Sequence, residues 1–189
     1  MLGVIGSACS VTRHIPEESY FLQKVKIEAD RTTPRKDRIL ASELEKYIRQ
    51  TPNKRFLGTN FYVWLYEQAN PTKENRWNDW KRKIGEAPEL LDVSLAQKSA
   101  ENLKVYMDSK GFFHSQASFR IDTTSRRKRA TVIYTTRQGA PYRIDSISYE
   151  FHDKFLEQLV LPDPSHTLLR LGAIYDVTVL DAERVRPTL

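Results

Sequence analysis

Histidine and cysteine are the residues of this chain whose side chains most readily do chemistry, and their spacing limits that chemistry. Histidines that bind a metal usually occur at short, paired spacings, which are absent here. No serine stands in a Gly-x-Ser-x-Gly elbow, and seven glycines among 189 residues form no phosphate-binding loop. We therefore predict no catalytic residue, no metal, no cofactor and no enzymatic activity. The four histidines, all far apart, are His14, His114, His152 and His166.

A single cysteine excludes an internal disulfide and a multi-cysteine zinc site, so its position is informative. Cys9 follows the short apolar run Met1-Leu-Gly-Val-Ile-Gly-Ser-Ala and precedes a polar stretch. This arrangement resembles the end of a bacterial lipoprotein signal, in which the cysteine thiol accepts a lipid. Several acyl chains at Cys9 would anchor the chain stably. The run is short and has no basic start, so a free or buried cysteine is the alternative.

Composition indicates a globular chain with a basic surface. Hydrophobic residues make up 40% and charged residues 29%, and no apolar run reaches the roughly 18 residues that a membrane-spanning helix needs. Lys and Arg number 30 against 24 Asp and Glu, a formal net charge of +6. This balance suits nucleic acid, anionic lipid headgroups or acidic polypeptides, or is simply that of a solvated surface.

Two stretches of the sequence are alike, which predicts a repeated module. The likeness consists of two echoes, that is, short segments that recur. One echo pairs Asp92-Val93-Ser94-Leu95 with Asp176-Val177-Thr178-Val179, and each of these segments opens a helical pattern. Repeated strand-plus-helix units usually stack into scaffolds whose function lies on exposed surfaces. The other echo, at the predicted strands, pairs Tyr20, Leu22, Val25, Ile27 and Glu28 with Tyr142, Ile144, Ile147, Tyr149 and Glu150.

The first copy predicts a strand, two helices and a hairpin in that order. Alternation over residues 20–28 indicates a half-buried strand, with a slip in phase midway. Ser42 with Glu45, and Ser94 with Gln97, have the spacing of capping boxes for two helices. Residues 115–122 and 130–135 alternate as the arms of a β-hairpin with a basic tip.

Residues 54–90 differ in composition and predict a helical insertion. Trp77, Trp80 and Ile84 fall on one helical face, which favours rings packed inside the molecule. The interleaved basic residues allow a second reading, in which exposed rings stack on bases. An exposed remainder would be a docking surface, formed by Trp77, Trp80, Arg82 and Lys83.

Besides this order of elements, several segments are typical of one protein family. They are the strand opening Tyr-x-Leu/Ile-x-x-Val/Ile, the helix end Ser109-Lys-Gly-Phe-Phe113, and the segments Ala8-Cys9-Ser10-Val11-Thr12, Pro52-Asn53-Lys54-Arg55, Leu57-Gly58, Trp64-Leu65-Tyr66 and Arg82-Lys83-Ile84-Gly85-Glu86. With the order of elements, they resemble the polypeptide-transport-associated (POTRA) domain of the BamA/TamA superfamily, and most of all its lipid-anchored, TamL-like branch. The resemblance covers nearly the whole chain.

The resemblance implies an α+β fold of tandem β-α-α-β-β modules. The expected parts are a lipoprotein signal remnant and linker over 1–19, a first POTRA-like domain over 20–138 with the insertion, and a partial second domain over 139–189. The second copy ends after the helical turn at 181–185 without a hairpin, and Pro187 would interrupt that helix. We therefore expect a truncated gene product or fragment that lacks the family's C-terminal barrel.

The resemblance also implies a function at the periplasmic side of the outer membrane. The expected partners are unfolded outer-membrane proteins, an inner-membrane-spanning translocation partner, and the outer membrane through lipid at Cys9. A client strand would add to an edge strand, or that edge would instead pack against a neighbouring domain behind its arginines. The edge residues are Ser115, Ala117, Phe119 and Ile121. The Arg126–Arg129 tip is either solvated or contacts anionic headgroups or an acidic partner. A basic nucleic-acid-binding protein is the alternative function, although no RNA- or DNA-binding module is recognisable and we expect no nucleic-acid partner.

Overall fold

The computed structural model describes residues 15–69, 75–124, 128–150, 152, 154–155 and 167–186. Predictions on Cys9, His14 and His166, on Arg126 and Arg127 of the hairpin tip, and on Pro187 lie outside the described residues.

The described residues form three strands and five helices. The α+β class is confirmed, and the order strand, helix, helical insertion, helix, strand, strand of the first copy is the order found. The strands are β1 (Phe21–Ala29), β2 (Gln116–Thr124) and β3 (Arg129–Arg137). The helices are α1 (Ala41–Leu44), which continues as a 3₁₀ turn (Glu45–Tyr47), then α2 (Phe61–Glu67), α3 (Arg76–Ile84), α4 (Val93–Ser109) and α5 (Val177–Val185).

The strands form one sheet in the order β1-β3-β2. Only four residues separate β2 from β3, which is enough for an antiparallel hairpin and too few for a crossover. The Phe21 N–H donates to the Lys128 carbonyl, and the Asp30 N–H donates to the Thr136 carbonyl. Because both partners advance together along the chain, β1 and β3 run parallel. The central position of β3 explains why Val132, Ile133 and Tyr134 in succession are all buried.

Aspartates cap the two echoed helices, although Ser94 was predicted to cap the first of them. Asp92 accepts hydrogen bonds from the Ser94 and Leu95 N–H groups, at 2.8 and 3.1 Å. Asp176 likewise accepts from the Thr178 N–H at 2.8 Å. The prediction of Ser94 as a cap was therefore wrong, because the carboxylate of Asp92, two residues earlier, accepts the free N–H groups at the start of the helix. The Asp-Val-Ser/Thr echo is a repeated capping motif.

The predicted cap at Ser42 was also wrong. Helix α1 begins at Ala41 with Leu40 as its N-cap, and no side chain bonds to its free N–H groups. Ser42 therefore lies inside the first turn. The helix tightens into the 3₁₀ turn at Glu45, and the predicted short helix is present.

The chain divides into two compact units, each built from three segments. The first consists of Met1–Lys26, Arg49–Lys98 and Phe119–Tyr134, and the second of Ile27–Ile48, Ser99–Ser118 and Thr135–Leu189. Ile15, Phe21 and Val63 form a core of the first unit, with Leu90 packed against them. The buried apolar side chains of the second unit are Ile39, Leu44, Ala100, Leu103, Met107 and Phe112. The boundaries predicted from the repeat stay a prediction.

Candidate functional site

Strand β2 lies at one side of the sheet, and no other described strand pairs with its outer side. Ala117, Phe119 and Ile121 are half-buried, and the residues between them are exposed. The Phe119 ring packs against Tyr134 of β3, with 6.4 Å between centroids. An outer strand presents a row of backbone donors and acceptors to solvent. The structure therefore places three of the four predicted edge residues on an outer strand of nine residues.

Ser115, the fourth predicted edge residue, does not belong to that strand. It is buried, its N–H donates to the Phe112 carbonyl at 2.9 Å, and its hydroxyl donates to Asp108 Oδ1 at 2.9 Å. Gly111, with φ +85°, ends helix α4, and the turn that follows takes up the chain as far as Ser115. Ser115 holds this turn, so the edge begins at Gln116.

The other outer strand, β1, is partly covered. The Leu22 N–H donates to the Glu89 carbonyl, the Leu91 N–H donates to the Tyr20 carbonyl, and Phe21 forms a β-bridge with Leu90. The segment 89–91 therefore occupies the outer side of β1 at its start. Among the described residues, β2 is the less covered of the two outer strands.

Helix α3 exposes the tryptophans that its apolar stripe predicted to be inside. Trp77 is 71% exposed and Trp80 45% exposed, whereas Asn78 is 7% exposed. The covered side of α3 is therefore the side that carries Asn78. The residue after the helix, Gly85, lies so close to Tyr66 that a Cβ there would be 2.7 Å from the Tyr66 backbone. The prediction of buried rings was therefore wrong. A stripe identifies one face of a helix, but a nine-residue helix at the surface of a unit need not turn that face inward.

Basic side chains surround the exposed rings. Helix α3 carries four basic residues and one acidic residue, Asp79. The predicted docking residues Arg82 and Lys83 are exposed, and the Lys81 ammonium lies 3.4 Å from the Gln68 carbonyl. The Trp77 and Trp80 rings meet edge to face, 5.9 Å apart at an interplanar angle of 79°. We name Trp77, Trp80 and Ile84, with the basic residues of α3, the aromatic–basic surface.

A tight turn with an exposed leucine lies in the same unit, at the Leu57-Gly58 segment that the sequence analysis used for the resemblance but did not predict as a turn. The backbone groups of Phe56 and Thr59 exchange two hydrogen bonds of 2.9 Å. Leu57 and Gly58 have φ +48° and +76°, the signs of a type I′ turn. Leu57 is 86% exposed. The Leu-Gly pair between aromatic residues was the available signal.

A hydrogen-bonded carboxylate connects this turn to the end of α3. The Lys54 N–H donates to Glu86 Oε2 at 3.1 Å, and the Lys54 ammonium lies 3.9 Å from Glu86 Oε1. The Asn53 side-chain amide also donates to Glu86 Oε2, at 3.3 Å. The segment before the turn is therefore held to the residue two positions beyond α3.

A groove of about 440 Å³ lies in the predicted second module. Its apolar lining comes from Ile144, Ile147, Leu169, Ile174, Val179 and Leu180. His114 lies outside it and shares a 2.9 Å hydrogen bond with the Tyr142 hydroxyl. No group of three or more His, Cys, Asp or Glu side chains among the described residues could hold a metal ion. None of the described helices has both the length and the apolar character to cross a membrane.

Comparison with known proteins assigns this chain to no family. No protein-family model matches the chain, and no curated protein matches it. Similar solved structures include the crystal structure of POTRA domains 3–5 of Haemophilus influenzae BamA, at 13% sequence identity and a TM-score of 0.32. That similarity covers 92% of this chain and 87% of the other. A TM-score this low supports no inference about function, so the function of this chain is inferred from its own residues and contacts.

Proposed function

We propose that the chain is a periplasmic polypeptide-binding scaffold of an outer-membrane protein assembly or translocation factor. Its ligands are extended segments of unfolded outer-membrane proteins. They bind by adding a strand to the outer side of β2. The POTRA-like order of elements supports the cellular setting, and the open outer side of β2 supports the mode of binding.

The outer side of β2 is the observation that carries the proposal. In strand addition, backbone hydrogen bonds supply affinity with little dependence on sequence, and alternating side chains tune preference. Strand β2 offers nine residues with alternating exposure. Clients destined to become transmembrane strands alternate apolar and polar residues themselves. The exposed Arg120 and Asp122 are charges of the kind that limit pairing between two copies of an edge strand.

Membrane attachment in this proposal comes from lipid on Cys9. Lipidation would keep the scaffold at the periplasmic side of the outer membrane, where an inner-membrane-spanning translocation partner can meet it. Palmitate labelling of the full-length gene product and of Cys9→Ala, with envelope fractionation, tests this part. Label that depends on Cys9 and is found in the outer membrane is the expected result. An unlabelled cytosolic product would overturn the envelope setting.

Hydrogen exchange tests strand addition directly. The probe is a ten-residue peptide that alternates apolar and polar residues, added in excess to the 189-residue chain. We expect alternate amides of β2, those that point away from β3, to exchange at least about tenfold more slowly when the peptide is bound. Amides of α3 should not change. Protection confined to other segments, or none at all, would refute the proposal.

A charge placed on the edge gives a matched pair of variants. Ile121→Lys puts a cation on the inward face of the edge, which disfavours an added strand. Ser118→Lys puts the same cation on the exposed face of β2. Peptide affinity measured by fluorescence anisotropy should fall several-fold more in Ile121→Lys than in Ser118→Lys. Circular dichroism must show that both variants are folded.

A further inference from the structure

The aromatic–basic surface exposes three large apolar side chains on one short helix. Trp77 is 71%, Trp80 45% and Ile84 39% exposed. They stand at positions i, i+3 and i+7, so they share one face of α3. Contiguous exposed apolar residues, unlike single ones, mark a surface that contacts something.

Three of the four cations of α3 lie beside that apolar face, whereas Arg82 falls on the opposite side of the helix. At about 100° per residue, Lys81 falls on one flank, and Arg76 and Lys83 fall on the other. Arg76 and Lys83 are exposed, so both can reach solvent or headgroups. Indole rings between lysine and arginine side chains are the pattern of a helix that lies in a membrane interface, since the rings enter the headgroup layer and the cations meet lipid phosphates.

The turn at Leu57 supplies a second, independent observation. Leucine rarely adopts φ +48°, and an asparagine there would relieve the strain. The side chain is nonetheless 86% exposed, so packing within the unit does not explain it. Phe56 beside it is 49% exposed. An apolar side chain at the tip of a turn suits insertion into a soft surface more than docking into a rigid pocket.

Nucleic acid fits this surface less well than lipid. Single-strand binders stack successive bases on aromatic side chains. The planes of the Trp77 and Trp80 rings meet at 79°, so the two rings cannot both stack on neighbouring bases that are parallel to each other. Ile84 and Leu57 add apolar area that cannot stack on bases.

We propose that α3 and the Leu57–Gly58 turn form a peripheral membrane site for bilayers that contain anionic lipid. Trp77, Trp80 and Leu57 enter the headgroup region, and Arg76, Lys81 and Lys83 contact lipid phosphates. The helix has nine residues, so the contact is reversible. The site uses no residue of β2 and is independent of strand addition.

Vesicle sedimentation tests the site with the unlipidated 189-residue chain. Binding to vesicles of phosphatidylethanolamine and phosphatidylglycerol is compared with binding to vesicles of phosphatidylcholine alone. We expect binding to the anionic vesicles, a blue shift of tryptophan fluorescence, and weaker binding as salt increases. The Trp77→Ala/Trp80→Ala variant should lose about tenfold or more in partitioning. Arg76→Gln/Lys83→Gln should lose about fivefold for each cation removed.

Matched controls separate this surface from general stickiness and charge. Val105→Ala removes a side chain that is 66% exposed on α4, and Lys24→Gln/Lys26→Gln removes two exposed cations from β1. Both controls should bind vesicles within about twofold of the original chain, allowing for longer-range attraction. If the double tryptophan variant does not fold by circular dichroism, Trp77→Ala alone takes its place.

The outcomes are distinct from those of strand addition. The tryptophan variant should lose vesicle binding and keep its affinity for the client peptide. Absence of binding to anionic vesicles, unchanged binding by the tryptophan variant, or binding to random oligonucleotides in place of vesicles would each overturn the membrane site.

Discussion

The side-chain ammonium of Lys110 lies 2.7 Å from Oδ2 of Asp176, which joins the residue after α4 to the residue before α5. The other carboxylate oxygen caps α5 by accepting the Thr178 N–H. Burial raises the pKa of the Asp176 carboxyl, but the hydrogen bonds from Lys110 and Thr178 outweigh it, so the pKa lies below its ordinary value. One carboxylate therefore serves two elements, and the charged form is the form that the folded chain favours.

Removing this carboxylate should loosen the second unit. Asp176→Ala loses the cap and the ion pair, and we expect it to lower the free energy of unfolding by about 1–2 kcal/mol. Asp176→Asn keeps an acceptor for the cap and should cost less than Asp176→Ala. Urea unfolding at neutral pH measures both. Equal losses in the two variants would show that the charge, and not the cap, is what matters.

The lowered pKa of Asp176 predicts that the free energy of unfolding depends on pH. Because the pKa of Asp176 is lowered by folding, its contribution is present above the ordinary value of 3.8 and is lost as pH falls through the folded value. The measurement is the difference in free energy of unfolding between the original chain and Asp176→Asn. That difference should shrink as the solution is acidified from neutral pH. A constant difference would contradict the assignment of the shift to this residue.

A third prediction concerns Gln138, whose side chain is fully buried. Its Oε1 accepts the Ile39 N–H and its Nε2 donates to the Ile39 carbonyl, each at 3.0 Å. Gln138→Leu keeps a similar volume but leaves both backbone groups of Ile39 without this partner. We expect a loss of about 2–4 kcal/mol, measured by urea unfolding. The control is Gln116→Leu, an exposed glutamine on β2 that should change stability by less than about 0.5 kcal/mol.

These residues show which features of the structure the sequence could predict and which it could not. Patterns that repeat with a fixed period gave the strands, helix α4 and the hairpin, because alternation and 3.6-residue periodicity report local structure. The Asp92 and Asp176 echo correctly located the starts of two helices, although the capping atom was misassigned. The sequence contains no comparable signal for Gln138, since its partner Ile39 lies 99 residues away.

The candidate sites divide in the same way. Strand β2 follows from local alternation, whereas its place at an outer side of the sheet depends on how β1 and β3 pair. The exposure of Trp77 depends on which side of α3 packs against the rest of its unit. An apolar stripe alone does not specify that side. Ser115 shows the limit of boundary prediction, because a hydrogen-bonded turn displaced the start of the strand by one residue.

The turn at Leu57 and Gly58 gives the last prediction, in which stability and binding change in opposite directions. Leu57→Asn places a residue that tolerates positive φ at the strained position, so we expect a gain of about 0.5–1 kcal/mol in stability. Gly58→Ala should lose about 1 kcal/mol from backbone strain alone, because nothing lies within 4 Å of the added methyl group. Urea unfolding measures both changes.

The same two variants separate strain from function at this turn. Leu57→Asn removes the exposed apolar side chain, so it should weaken binding to anionic vesicles while it stabilises the fold. Gly58→Ala keeps Leu57 and should bind vesicles as the original chain does, provided that it is folded at the assay temperature. A Leu57→Asn chain that is more stable and binds vesicles unchanged would mean that the leucine has no part in the membrane site, and its strained conformation would then need another cause.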